Sequence, residues 1–317
     1  MLTIAGNAFR ETVRQPVFCV VLGLAAVLIA LSPSFAMFTL LDSVKLVQDM
    51  GLSTILLAGL ALAVLSASTV VTEEVRGRTA LMVMARPVGR GQFVVGKFLG
   101  LAAAQAAAVY LLTVVLVLTV RVGVPEAAYT KLDTAAIWAE VGAGVLTVVV
   151  AAGMNYFFDR PFPSAVVFAA LVLFSVAFFG LGLVDKELRP VPYFSAMDGD
   201  TLRACIVLFP TVVVLTAAAV ACATRLALVT TVLVCSVFFV VGMLSDYMFG
   251  RLAGESLAAA VPYALLPNFQ VFWMGEALSA EKAVPWAYLW TALGYAALYT
   301  AALLFAGMAL FETREIQ

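Results

Sequence analysis

The sequence predicts an all-α polytopic transmembrane bundle of about eight spans, headed by an amphipathic helix at the membrane interface. Three observations carry this expectation. Of the 317 residues, 64% are hydrophobic and 12% are charged, about half the charged share of an ordinary soluble domain. Mean hydropathy is +1.09, and the apolar residues come in unbroken runs rather than one-sided stripes. Those runs reach the roughly 20 residues that a hydrocarbon core of about 30 Å demands of a helix.

The elements follow in order. Residues 1–16 place Leu2, Ala5, Ala8, Phe9 and Val13 at helical spacing opposite Thr3, Asn7, Arg10 and Arg14, and Pro16 ends the pattern. This is an interfacial amphipathic helix, not the basic leader of a cleavable signal, because it is long and contains Glu11. Residues 17–317 form the membrane domain. Runs bounded by charge, Pro and Gly place spans near 17–41, 51–72, 93–120, 137–158, 163–184, 204–223, 226–248 and 287–310. Two short turns make helical hairpins, one at Arg160, Pro161 and Pro163, the other at Thr224 and Arg225. The segment 249–286 is the longest connection, and its stretch 261–273 is apolar and aromatic but too interrupted to span. It suits a re-entrant or interfacial element over the outer mouth, with Trp273 and Trp286 at headgroup level.

Orientation follows from charge. With the N-terminus in the cytoplasm, the inner segments hold ten of the 18 basic residues but six of the 19 acidic ones. The outer segments carry the acidic excess over longer loops. The positive-inside bias therefore expects both termini in the cytoplasm and the chain in the plasma (inner) membrane as a multi-pass protein.

Several chemistries lack their residues. There is no histidine, which removes the commonest metal ligand and neutral-pH base. Cys19, Cys205, Cys222 and Cys235 all fall in apolar runs without a CxxC pair, and read as buried free thiols. The stretch 91–97 fits GxxxxGK, but Phe98 occupies the position where a phosphate loop needs Ser or Thr, and no strand precedes it. Lys97 instead reads as a side chain snorkelling back to the headgroups. Net charge is −1, so nucleic acid is not an expected partner. No enzymatic centre and no cofactor are expected in this chain.

Polar groups inside spans are few. Glu140 and Asp246 fall near outer span ends within reach of water. Gln105 and Tyr110 lie mid-way along the third span, and Asn155 and Tyr156 near the inner end of the fourth. These four either line a path or bond helix to helix. A proton- or sodium-coupled carrier would need a mid-membrane carboxylate, and the sequence presents none there.

The informative segment is 73–92. Charged Glu73, Glu74 and Arg76 are followed by Gly77 and Thr79, then an apolar stretch with Leu81, Val83 and Met84, then an Arg86–Pro87 stop and Arg90. This is either a solvated loop or a small cytoplasmic helix that docks a partner, because a loop need not show such an apolar stretch to water.

Glu73, Glu74, Arg78 and Thr79, followed by Met84, Ala85, Arg86, Pro87, Val88, Arg90, Gln92, Phe93, Gly96 and Lys97, resemble the cytoplasmic loop of type-two ABC export permeases. These are membrane subunits of the gliding-motility and nitrous-oxide-reductase-maturation type. The segments around Phe9–Arg10–Glu11, Pro267–Asn268–Phe269 and Phe311–Glu312–Thr313 are similar too. The family places Gly directly before Thr where this chain has Arg78 after Gly77, and its subunits usually carry fewer spans. The resemblance implies a division of labour. A separate cytoplasmic ABC ATPase would bind ATP and magnesium. This chain, paired with a second permease copy or paralogue, would form the translocation path through the lipid. Coupling to the ATPase would fall to Glu73, Glu74, Arg76, Gly77, Thr79, Leu81, Met84, Arg86, Pro87 and Arg90. The other functions in view are a membrane anchor or scaffold for a cell-surface complex, and a secondary transporter.

Overall fold

A computed structural model describes residues 1–36, 43–72, 90–124, 132–250, 257–279 and 285–312. The described chain is all α: α1 (Leu2–Arg14), α2 (Pro16–Ala36), α3 (Ser43–Ala67, continued by a π turn Ser68–Thr72), α4 (Arg90–Val122), α5 (Thr134–Phe158), α6 (Phe162–Leu181), α7 (Gly199–Ala223), α8 (Leu228–Ser245, continued by a π turn Asp246–Gly250), α9 (Leu257–Leu265), α10 (Gly275–Ser279) and α11 (Trp286–Glu312). Among the described residues eight helices are long and apolar enough to cross a membrane, one for each run expected. The protein is a polytopic helical membrane protein.

Burial orders the bundle. Helices α3, α4 and α7 are mostly buried within the protein, whereas α2, α5, α6, α8 and α11 turn much of their apolar surface outward. Three helices therefore form a hub and five form the lipid-facing ring. The two hairpins differ accordingly. In α5–α6 both helices lie in the ring, whereas α7–α8 joins a hub helix to a ring helix. Asp159 closes the first hairpin in the left-handed region (φ 50°), and its N–H donates to the Met154 carbonyl, a helix C-cap usually given to Gly or Asn.

The bundle has two ends. One, the N-terminal side, carries α1, the turns at Arg160 and Arg225, and the C-terminus of α11, where Arg225 Nε donates to the Leu310 carbonyl at 2.7 Å. The far side carries the connection 182–198, the start of α3 and the start of α7.

Helix α1 does more than rest on lipid. It crosses the start of α4 at Gly96 and Gly100, where an added Cβ would collide with Ile4 and with Ala5 and Ala8. Ala8, Thr12 and Val13 are buried while Leu2 is exposed. Lys97, expected to snorkel, is 3% exposed. It reaches Glu11 of α1 at 3.4 Å and lies over the Phe93 ring. The docked helix supplies its counter-charge within the bundle. Gln15 ties the same region to Thr69 of the π turn at 2.6 Å. Gly100→Val is therefore expected to lift α1 off α4, because the crossing has no room for a branched side chain. A single cysteine at Ala8 should then label with a thiol reagent at a rate at least about tenfold above that in the Gly100 background. Equal rates would mean the crossing tolerates the change.

The start of the second span also differs from expectation. Helix α3 begins at Ser43 rather than near 51, although Lys45, Gln48 and Asp49 interrupt the apolar run. Gln48 is buried here, donating to Asp198 and to Thr201 at 2.9 Å each. Asp198 caps α7 through the Asp200 and Thr201 N–H groups, so one polar cluster joins two hub helices at the far side.

The connection after α8 folds back beside α11. Tyr288 donates to the Val271 carbonyl, and Tyr299, near the middle of α11, donates to the Ala264 carbonyl at 2.9 Å. Phe269 and Phe272 are buried with Val214, Leu215, Ala292 and Ala296. Tyr263 donates to Asp246 at 3.0 Å, and that bond raises the Tyr263 phenol above its ordinary range.

Candidate functional site

Helices α2 and α5 each pack on α4 but scarcely on one another. The space left between them is a cleft of about 370 Å³, floored by α4 and α6. That volume lies within the range of small-molecule sites, about 300–1,000 Å³. Its walls are Leu22, Ala26, Val27 and Pro33 of α2, Leu111, Val115 and Val122 of α4, Val141 and Val148 of α5, and Val167, Ala170 and Phe174 of α6. Gly23 and Gly144 both line this space, and a Cβ on either would touch nothing within 4 Å. Pro33 to Cys19 along α2 is about 21 Å, and Ile137 to Val148 along α5 about 16 Å, at 1.5 Å per residue.

One carboxylate borders this apolar space. Glu140 is 9% exposed, six residues into α5 from the far side. The reading that water reaches it is thus corrected, because packing of α5 against α4 covers it. Thr119 Oγ1 lies 2.9 Å from Glu140 Oε1 and 2.9 Å from the Val115 carbonyl oxygen. A hydroxyl has one proton to give, so it serves one of these acceptors at a time. Among the described residues no Lys or Arg pairs with Glu140. An ionisable group so placed in an apolar wall is costly and is a functional candidate by default.

Just above the cleft, at the far side, lies a buried ion pair that no local sequence pattern announces. Arg121 Nε donates to Asp133 Oδ2 at 2.8 Å, with both side chains almost wholly buried. The remaining guanidinium nitrogens donate to the carbonyls of Leu181 and Val184. Asp133 Oδ1 meanwhile accepts from the Ala136 N–H and caps α5. One guanidinium therefore joins the C-terminus of α4, the N-terminus of α5 and two carbonyls at and just past the end of α6. The cation also complements the negative end of the α6 dipole. Beyond it, the connection 182–198 is ordered around Phe194, whose N–H donates to the Gly182 carbonyl and whose ring meets Phe178.

The four path candidates do not converge. Gln105 is buried and donates to the Gly59 carbonyl at 3.3 Å, joining α4 to α3. The Tyr110 hydroxyl lies 2.8 Å from Ser175 Oγ, joining α4 to α6. Asn155 donates to the Arg160 carbonyl in the hairpin turn, and Tyr156 is 82% exposed. None of them borders the cleft. Of the coupling residues, Glu73, Glu74, Arg76, Gly77, Thr79, Leu81, Met84, Arg86 and Pro87 lie outside the described residues, and Arg90 opens α4. All four cysteines are free. Among the described residues no cluster of His, Cys, Asp or Glu suits a metal ion. No family model and no curated protein matches this chain.

Proposed function

We propose that this chain is the membrane-spanning permease subunit of an ATP-driven exporter, and that a separate cytoplasmic ATPase docks on the segment 73–89. The observation that supports this most is the course of α4. It is one helix of 33 residues, about 50 Å long. It starts where that segment ends, is gripped near its start by α1, and walls the cleft with Leu111, Val115 and Thr119. A push on the segment is thereby carried to the cleft by a single rigid element. The buried face of α1 makes the grip, and its polar face, with Asn7, Arg10 and Arg14, remains exposed beside it. In this reading the N-terminal side is cytoplasmic, the membrane is the plasma (inner) membrane, and a second copy or a paralogue completes the path.

A proton-coupled carrier gains one observation, the buried carboxylate Glu140 in the cleft wall. The two readings separate on the need for an ATPase.

The test is co-purification of the full chain with the ATPase encoded beside it, from membranes in mild detergent. A stable complex is expected, with ATP turnover in the complex and none by the chain alone. Transport by the chain alone, driven by a proton gradient, would overturn the reading in favour of the carrier. Sidedness is checked on intact cells with an impermeant maleimide and single cysteines in a background lacking the native four. Positions 198 and 276 should label while 160 and 225 stay protected, and the reverse pattern would invert the assignment.

A further inference from the structure

We propose that the cleft between α2 and α5 is a binding site for a membrane-dissolved cationic amphiphile, a single alkyl chain bearing a primary ammonium group, with the chain between the helices and the ammonium on Glu140. As a substrate class this rests on the permease reading; as a binding site it stands apart from it.

Shape argues for a single chain. The cleft runs about 16–21 Å along its helices, close to the thickness of one leaflet's hydrocarbon, about 15 Å. Its walls are apolar apart from Thr119, Glu140, Thr147 and the Cys19 thiol, and Thr147 spends its hydroxyl on the Ala143 carbonyl at 2.7 Å. Gly23 and Gly144 hold the space open where any larger side chain would narrow it.

Charge argues for the ammonium. Glu140 is nine-tenths buried, borders the cleft, and shares its one hydroxyl donor with the Val115 carbonyl. Among the described residues nothing in the wall fills the remaining acceptor capacity of its carboxyl, and Arg121, two positions beyond Thr119, is committed to Asp133 and two carbonyls. A ligand ammonium supplies both the missing donors and the missing charge. The depth is right as well. Helix α5 has 25 residues, about 37 Å, so it overshoots the hydrocarbon by some 7 Å. Glu140, about 9 Å along it, then falls just inside the hydrocarbon boundary, where a headgroup nitrogen can reach while its chain stays in the apolar part.

The experiment uses the full chain alone in phosphatidylcholine nanodiscs, without any ATPase. An alkylammonium probe with a diazirine in its tail is photolysed and the labelled peptides are mapped. Label is expected on 16–36 and 134–158. Dodecylamine should compete at least about tenfold better than dodecanol, the margin of a charge-assisted hydrogen bond over a neutral one. Glu140→Gln should bring the two competitors to near parity, and Gly144→Trp should remove the label while leaving the elution profile unchanged. Equal competition in the native chain, or label that survives Gly144→Trp, would overturn the proposal, and the native comparison decides even if Glu140→Gln does not fold. Label that falls as nanodiscs take up two copies would assign the cleft to self-association and overturn it too. Since no ATPase is present, neither result bears on whether one docks.

Discussion

Replacing Arg121 by Met is expected to destabilise the bundle by about 3–5 kcal/mol, the usual cost of stranding one partner of a buried ion pair. The figure follows from what the guanidinium leaves behind. Asp133 is wholly buried and would hold its charge with only the Ala136 N–H as donor, while the Val184 carbonyl would lose the Arg121 donor and the Leu181 carbonyl would keep only the Val184 N–H. Met fills much of the same volume, so the loss reports charge and hydrogen bonding rather than a void. Thermal unfolding in detergent should show the midpoint lowered by on the order of 10 °C. Adding Asp133→Asn to the same chain should recover part of the loss, because Asn keeps the helix cap and carries no charge. A second change that costs as much again would mean the two residues act independently, against the observed geometry.

The other large effect concerns docking. With an ATPase docked on 73–89 as proposed, Leu81→Asp or Met84→Asp is expected to weaken the complex by tenfold to several hundredfold. Each apolar side chain contributes about 1.5–3 kcal/mol when fully buried, and the new carboxylate adds an unpaired charge to the contact. On the permease reading, Glu73→Ala and Glu74→Ala should keep the complex but lower ATP-driven transport, as expected of carboxylates that orient a docking segment without anchoring it. Affinity is read by titrating the ATPase onto immobilised nanodiscs. Full binding and full transport in the Asp variants would make 73–89 a solvated connector.

The eight spans were legible because hydrocarbon thickness writes itself into the chain as runs of about 20 apolar residues. Ends were misread where polar residues pair at a distance. Gln48 looks like a loop residue until Asp198 and Thr201, some 150 positions on, satisfy it. Arg121 and Asp133 sit on opposite sides of an interhelical connection, and no local pattern says that the chain folds them together under the end of α6. Lys97 reads as snorkelling to the headgroups, but in the fold it is buried and pairs with Glu11 of the docked α1. The cleft left fainter traces still. It exists because two helices fail to meet, and of the 22 glycines nothing in the sequence singles out Gly23 and Gly144. Glu140 carried the one usable signal, a carboxylate inside an apolar run, but its depth depended on how α5 packs on α4.

In the mechanism proposed here, ATP hydrolysis by a docked partner moves α4 and so reshapes the cleft. The chain carries its own reporter, because Cys19 borders the cleft and is half-buried. With Cys205, Cys222 and Cys235 replaced by Ala, the rate at which Cys19 reacts with a membrane-permeant maleimide can be followed in vesicles holding the chain and its ATPase. The rate is expected to change by at least about tenfold when ATP is added, and to stop changing in Leu81→Asp. A rate indifferent to ATP in the intact complex would contradict that mechanism.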